Sequence, residues 1–166
     1  VIALNAETGA EIWKYQVDVM EFVDEEWWWP VLSQKSITYE NGTIYFMASD
    51  CRIIALDALD GSEVFVIPDV CKNVEGNTGF YFGEHAPLIF ENLLIARPSV
   101  QDGGGRGFGV AYDLDALKEV WRWFSVPPVG GDPKWDFKDS NKENIKPFEG
   151  ATTTWTDSSS TPPSPV

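Results

Sequence analysis

The sequence predicts an all-β chain built from repeated antiparallel hairpins. An eleven-residue phrase occurs three times, at residues 3–13, 55–65 and 111–121. Each copy has an alternating apolar stretch, a turn rich in Asn, Asp or Gly, and a second such stretch, which is the pattern of two strands around a tight turn. The offsets of 52 and 56 residues are typical of propeller blades with inserted loops. No segment shows helical periodicity. We therefore predict a partial β-propeller of about three four-stranded blades.

The strands can be placed in order along the chain. Asn41-Gly42 predicts a type I′ turn between the third and fourth strands, because both residues tolerate positive φ angles. Asn41-Gly42-Thr43 is also formally a glycosylation sequon, but the flanking alternation favours the turn. A second hairpin is expected to turn at Glu91-Asn92. The predicted strands are 1–5, 11–16, 36–40, 43–48, 52–57, 62–67, 87–90, 93–97 and two within 108–124.

Three regions are expected along the chain. Residues 1–127 hold half a blade followed by two nearly complete blades. Residues 128–149, rich in Pro, Gly, Lys, Asp and Asn, predict an irregular insertion loop. Residues 150–166 are the start of a further blade or a disordered tail. Because a three-blade sector leaves two large faces exposed, we expect the remaining blades to come from a partner chain or from a longer polypeptide.

Composition excludes two classes of partner. The chain has 12 basic and 26 acidic residues, a formal charge of -14, so a phosphate backbone would be repelled and nucleic acid is excluded as a partner. No apolar run approaches the roughly 20 residues of a membrane-spanning helix. Cys51 and Cys71 are either two buried thiols or a disulfide. A disulfide would indicate an oxidising compartment.

Residues 105–127 carry the most specific pattern in the chain. They read Gly-Arg-Gly-Phe-Gly-Val-Ala-Tyr-Asp and, further on, Glu-Val-Trp-Arg-Trp-Phe-Ser-Val-Pro. This order, together with the repeated phrase, resembles the quinoprotein alcohol dehydrogenases, eight-bladed propellers in which the Trp of each phrase packs between neighbouring blades. The resemblance covers residues 1–127 well and 147–157 weakly. It implies a portion of an enzyme that binds pyrroloquinoline quinone (PQQ) and Ca²⁺ and oxidises an alcohol by hydride transfer to the quinone.

The resemblance also implies four cofactor positions. Asp102 corresponds to an acidic Ca²⁺ ligand, and a carboxylate suits a cation that prefers oxygen ligands. Ser99 corresponds to a residue that hydrogen-bonds the quinone, and Trp155 to a Trp that supports the quinone plane. Lys35 stands where the family has an Arg that contacts the quinone. Asp102 could instead be a solvated turn residue and Trp155 a core residue between blades. The family's catalytic Asp corresponds to a position beyond Val166, so no catalytic residue is assigned.

Several departures from the family pattern favour a second interpretation. Glu84 replaces a Thr, Lys35 loses the bidentate geometry of Arg, and Trp29-Pro30 replaces two adjacent cysteines. The alternative function is a non-catalytic propeller that acts as a scaffold or interaction subunit of a larger assembly. The run Trp27–Trp29 would then be a docking surface. His85, the only histidine of the sequence, is either an acid–base group or, as is more common for such a residue at a strand start, structural.

The resemblance extends to partner and compartment. No Cys-x-x-Cys-His motif for haem attachment occurs in the sequence, so a separate cytochrome c-type electron acceptor is expected. The implied location is the periplasm or the cell exterior. The alternative is the lumen of an organelle, as part of a complex.

Overall fold

A computed structural model describes residues 1–17, 36–71, 81, 83–99 and 107–125 of the chain. These residues form ten strands and no helix, which confirms the all-β prediction for this part of the chain. None of them lies in a helix long and apolar enough to cross a membrane. The strands are β1 (Ile2–Leu4), β2 (Glu11–Lys14), β3 (Thr38–Glu40), β4 (Thr43–Met47), β5 (Ile53–Asp57), β6 (Glu63–Ile67), β7 (Leu88–Phe90), β8 (Leu93–Ala96), β9 (Phe108–Asp113) and β10 (Lys118–Phe124).

The ten strands pair in sequence order into three antiparallel sheets. Strands β1 and β2 form a two-stranded sheet, β3 to β6 a four-stranded sheet, and β7 to β10 a second four-stranded sheet. Each neighbour in a sheet is the next strand along the chain, and all the pairs are antiparallel. The predicted regions 128–149 and 150–166 lie outside the described residues, so those boundaries stay predictions.

The middle sheet is buried on both faces. Tyr45 and Met47 of β4 belong to a core shared with the third sheet, which includes Leu94 and Val110. Phe46, from the same strand, belongs to a second core shared with the first sheet. Successive side chains of a strand point to opposite faces, so one alternating strand supplies both cores. The three sheets therefore stack face to face.

A tryptophan joins the first sheet to the second. Trp13 is only 9% exposed, and its Nε1 donates a hydrogen bond of 3.1 Å to the carbonyl oxygen of Ala58. Its ring lies over Gly61, where an added Cβ would come within 2.6 Å of Trp13 Cε3. The predicted packing of the repeat Trp on the next blade is confirmed at this interface. In the repeated phrase, Phe65 of the second copy corresponds to Trp13, and Leu117 of the third copy corresponds to Gly61. These are the equivalent positions for the interface between the second and third sheets.

The turn of each repeat is closed by the Asn or Asp at the end of its first strand. Asn5 Oδ1 accepts hydrogen bonds from the backbone N–H groups of Glu7 and Thr8, at 3.0 and 2.9 Å. Such side-chain bonds replace a backbone turn contact and favour Asn and Asp at this position. Three equivalent positions then take positive φ angles: Gly9 (71°), Gly61 (75°) and Leu117 (52°). The third repeat thus keeps the turn geometry without the glycine.

Tyr15 makes a second link between the first two sheets. Its hydroxyl donates a hydrogen bond to Glu63 Oε1. Desolvation, followed by the hydrogen bond to Glu63 and the negative charge of that carboxylate, raises the pKa of Tyr15 to about 12. The hydroxyl therefore keeps its proton, and with it this hydrogen bond, throughout the neutral pH range.

Cys51 and Cys71 form a disulfide, with their Cα atoms 5.8 Å apart. The bond joins the turn between β4 and β5 to the segment that follows β6. Of the two states left open by the sequence, a disulfide or two buried thiols, the structure has the disulfide.

The two hairpin turns Asn41-Gly42 and Glu91-Asn92 occupy corresponding positions in the two four-stranded sheets. Asn41 has a φ of 48° and Gly42 a φ of 82°, as a type I′ turn requires. Glu91 also lies in the left-handed region, with a φ of 51°. Asn is several-fold enriched in this region, whereas Glu is not.

Replacing Glu91 by Asn is therefore expected to stabilise the protein. We expect Glu91→Asn to raise the free energy of unfolding by about 0.5 to 1 kcal/mol, because the left-handed conformation costs most residues roughly 1–2 kcal/mol and Asn less. The reciprocal change, Asn41→Glu, should lower it by a similar amount. Urea unfolding followed by circular dichroism measures both. A loss of stability in Glu91→Asn would show that the Glu91 side chain has a stabilising role that the turn geometry does not reveal.

Candidate cofactor site

The segments that precede β3 and β7 lie side by side. Ser36 Oγ accepts a hydrogen bond of 2.8 Å from the backbone N–H of Ala86, and the Thr38 hydroxyl donates to the carbonyl oxygen of Pro87. These contacts lie at the ends of the sheets away from the Asn41-Gly42 and Glu91-Asn92 turns. Loops from two neighbouring sheets therefore converge at this end, which we call the loop end.

Ser99 and Glu84 meet at the loop end. Glu84 comes four residues before β7, and Ser99 comes three residues after β8. Because β7 and β8 form a hairpin, residues before the first strand and after the second lie at the same end. Ser99 Oγ donates a hydrogen bond of 3.0 Å to Glu84 Oε2. Their exposed fractions are 7% and 4%, so this is a buried polar pair.

A close backbone contact holds Glu84 in place. At its neighbour Gly83, an added Cβ would overlap the carbonyl oxygen of Ala48 and the side chain of Met47. Ala48 and Met47 are themselves buried at the end of β4. The chain can pass this point only because residue 83 has no side chain. The Glu84 carboxylate consequently starts from a backbone packed against the middle sheet.

The pair has a definite hydrogen-bonding capacity. A serine hydroxyl has one proton to donate, and here that proton is directed to Glu84. A buried carboxylate needs such donors, since an unpaired buried charge is strongly disfavoured. Ser99 therefore stabilises Glu84 and, in this arrangement, has no second proton for another acceptor.

The remaining predicted site residues can be placed only in part. Lys35, Asp102 and Trp155 lie outside the described residues, so their roles stay predictions. His85, next to Glu84, is half-buried and has interactions of its own. Within the described ranges, no group of three or more His, Cys, Asp or Glu side chains could hold a metal ion. Of the four cofactor positions, the structure thus describes only Ser99.

Sequence reasoning identified both members of the buried pair but missed their contact. The sequence indicates that Glu84 departs from the family pattern and that Ser99 corresponds to a quinone contact. The signal that could have joined them is the predicted hairpin around Glu91-Asn92, which returns residue 99 to the level of residue 84.

Comparison with known proteins decides the family. The family described as "Glucose/ethanol/alcohol dehydrogenase, beta-propeller domain", a PQQ family, matches residues 1–161. The chain belongs to this family. A quinohemoprotein alcohol dehydrogenase of Comamonas testosteroni is 33% identical over 141 residues, which are 85% of this chain and 19% of that protein. The dehydrogenase subunit of an alcohol dehydrogenase (quinone) of Gluconobacter oxydans (strain 621H) is 32% identical over 126 residues, 75% of this chain and 16% of that subunit.

Solved structures of alcohol dehydrogenases resemble the fold of this chain. The crystal structure of the Comamonas testosteroni enzyme superposes with a TM-score of 0.61 at 29% identity, covering 84% of this chain and 20% of that one. A europium-containing methanol dehydrogenase gives a TM-score of 0.58 at 26% identity, covering 84% and 23%. The predicted partial β-propeller is confirmed. The chain spans about a fifth of the length of these curated relatives.

The buried pair can be tested against the cofactor that the family implies. PQQ carries carboxylates, and a hydroxyl such as that of Ser99 is a suitable donor to one of them. In this structure, however, the hydroxyl already donates to Glu84, which is itself a buried carboxylate. A second carboxylate at the same donor would lie close to a like charge. As it stands, the Glu84–Ser99 pair does not fit an anionic quinone.

Proposed function

We propose that this chain is a propeller segment of a PQQ-dependent alcohol dehydrogenase, the class to which its relatives belong by name. Membership of the family supports the proposal, since the match extends over residues 1–161 and so includes every candidate site residue. The observation that carries it within the structure is the loop end, where the segments that precede β3 and β7 of adjacent sheets converge. Sites that bind small molecules are commonly formed where loops converge at one end of a rigid scaffold.

Three residues of the chain would contribute to the site. Asp102 would be a Ca²⁺ ligand, Trp155 would support the ring plane of the quinone, and Lys35 would contact its polar groups. The fourth position, Ser99, would lie beside the quinone with its hydroxyl directed to Glu84. PQQ supplies the redox chemistry of the reaction when it is bound. We assign no catalytic residue within the chain.

The names of the relatives also suggest a partner. Three of them are called quinohemoproteins, a name that denotes a haem beside the quinone. We propose a cytochrome c-type electron acceptor for the protein to which this chain belongs. The Cys51–Cys71 disulfide supports an oxidising compartment, the periplasm or the exterior of the cell.

Reconstitution of the longest natural polypeptide that contains these residues, below called the parent polypeptide, tests the proposal. The purified protein is incubated with PQQ and Ca²⁺, and oxidation of short alcohols is followed with an artificial electron acceptor. We expect turnover that depends on both additions and is lost in Asp102→Ala and Trp155→Ala. The control Asp60→Ala removes a carboxylate from the second repeat turn, at the opposite end of the strands, and should leave the rate unchanged. Absence of turnover by a folded, reconstituted protein would contradict the proposal.

A second candidate is a non-catalytic propeller that acts as a scaffold or interaction subunit. The hydrogen bond between Ser99 and Glu84 favours it, because the described part of the site binds its own carboxylate. The predicted docking run Trp27–Trp29 lies outside the described residues. A parent polypeptide that is folded but neither binds PQQ nor oxidises any alcohol would support this candidate against the first.

A further inference from the structure

We propose that Glu84 determines the ligand specificity of the loop end by filling the place of a ligand carboxylate with its own. The inference rests on the proposed function in one respect, that the quinone site is the one that includes Ser99. Glu84 Oε2 accepts the hydrogen bond of Ser99 Oγ at 3.0 Å, and both residues are buried. The Ser99 hydroxyl, which at the corresponding position of the family contacts the quinone, therefore donates its hydrogen bond to a carboxylate of the chain itself.

Charge makes this arrangement selective. A ligand carboxylate bound to Ser99 would lie about 2.7 Å from Oγ, within roughly 6 Å of the Glu84 oxygen on the other side of the same hydroxyl. Two carboxylates at such a distance in a buried site cannot both be ionised without a large penalty. The ligand would therefore have to displace Glu84 or bind with one of the two groups neutral.

Packing prevents Glu84 from simply moving aside. The residue is 4% exposed, and its backbone follows Gly83, which is in close contact with Ala48 and Met47. Movement into solvent would require the loop to leave the end of β4. The loop end should consequently disfavour a ligand with a carboxylate at this point. It should accept one that is uncharged there or that donates a hydrogen bond to Glu84, such as a hydroxyl or amide group.

Equilibrium binding of PQQ to the parent polypeptide tests the role of Glu84. Binding is measured by quenching of Trp fluorescence at a fixed saturating Ca²⁺ concentration. Glu84→Thr restores the family residue, Glu84→Gln removes the charge at nearly constant volume, and Glu40→Gln is the control for a carboxylate lost from an exposed position. We expect Glu84→Thr and Glu84→Gln to lower Kd for PQQ by about tenfold or more, the scale of one hydrogen bond to a charged group. Glu40→Gln should change it less than twofold.

Ser99→Ala distinguishes a specificity effect from a general change in the site. In the unmodified protein the Ser99 proton is directed to Glu84, so Ser99→Ala should change Kd less than twofold. In the Glu84→Thr background the hydroxyl is free for the ligand, and the same change should raise Kd about tenfold. Circular dichroism and thermal unfolding check that each variant is folded. If Glu84→Thr does not fold, Glu84→Gln takes its place in both comparisons.

Two results would overturn the inference, and they differ in what they say about function. If the unmodified protein binds PQQ as tightly as both Glu84 variants, and Ser99→Ala weakens that binding, Glu84 has no selective role and the proposed function stands. If neither the unmodified protein nor either Glu84 variant binds PQQ although all are folded, the loop end is not a quinone site. The proposed function then fails as well.

Discussion

Replacing Trp13 by Ala is expected to lower the free energy of unfolding of the parent polypeptide by about 3–5 kcal/mol, the range for removing a large buried aromatic side chain. Trp13 is 9% exposed and packs in one core with Phe46, Ile54 and Leu56. Its truncation leaves a cavity between the first two sheets and removes the hydrogen bond from Nε1 to the carbonyl oxygen of Ala58. Urea unfolding followed by circular dichroism measures the loss, because this signal does not depend on Trp13 itself.

Two further variants separate the contributions at this interface. Trp13→Phe keeps an aromatic ring but loses the hydrogen bond and part of the contact with Gly61. Its free energy of unfolding should therefore fall by less than that of Trp13→Ala. Ile12→Ala truncates the neighbouring side chain, which is largely exposed, and should cost less than about 1 kcal/mol. Equal small effects of Trp13→Ala and Ile12→Ala would mean that the Trp13 contact does not hold the two sheets together.

Loss of the Cys51–Cys71 disulfide has the second largest expected effect. The double variant Cys51→Ala/Cys71→Ala should lower the free energy of unfolding by about 3 kcal/mol, as the chain-entropy model predicts for a loop of this size. The bond closes the 20-residue stretch that contains β5 and β6, the last two strands of the middle sheet. Denaturant unfolding of the double variant and of the unmodified protein measures the difference.

A reducing agent supplies the matched comparison. Dithiothreitol should lower the stability of the unmodified protein to about that of the double variant and should leave the double variant unchanged. If the reductant has no effect on the unmodified protein while the double variant is destabilised, the loss comes from the substituted side chains and not from the bond.

The strand pairs could be predicted because their signals are local. Asn41-Gly42 fixes its turn through backbone conformations that these two residues adopt readily. The repeated phrase supplies the rest, and even the third copy keeps its hairpin although Leu117 replaces the glycine. There the side chain of Asp113 closes the turn by accepting bonds from the backbone N–H groups of Asp115 and Ala116. Asn5 closes the turn of the first repeat in the same way, so this side-chain signal is shared by repeats with and without the glycine.

The candidate site was less predictable because its contacts are not local. The disulfide shows the same limit, since the 20-residue separation of Cys51 and Cys71 is compatible with two thiols as well as with a bond. The pairing of Glu84 with Ser99 depends on how the two ends of a hairpin lie in three dimensions. It also depends on the close passage of Gly83 along β4, which no sequence pattern indicates. The positions of Lys35, Asp102 and Trp155 relative to this pair stay predictions.

Because the Asn41-Gly42 and Glu91-Asn92 turns lie far from the loop end, probes can be attached to them without disturbing the loop end. A strand of five residues, such as β4, holds its two ends about 16 Å apart. A short epitope, a fluorophore or a cross-linking group placed at Asn41-Gly42 or Glu91-Asn92 would therefore report on the protein without contacting the loop end. A pair of such probes on neighbouring sheets would measure the distance between the two blades. The distance could be followed while a candidate ligand is added at the loop end.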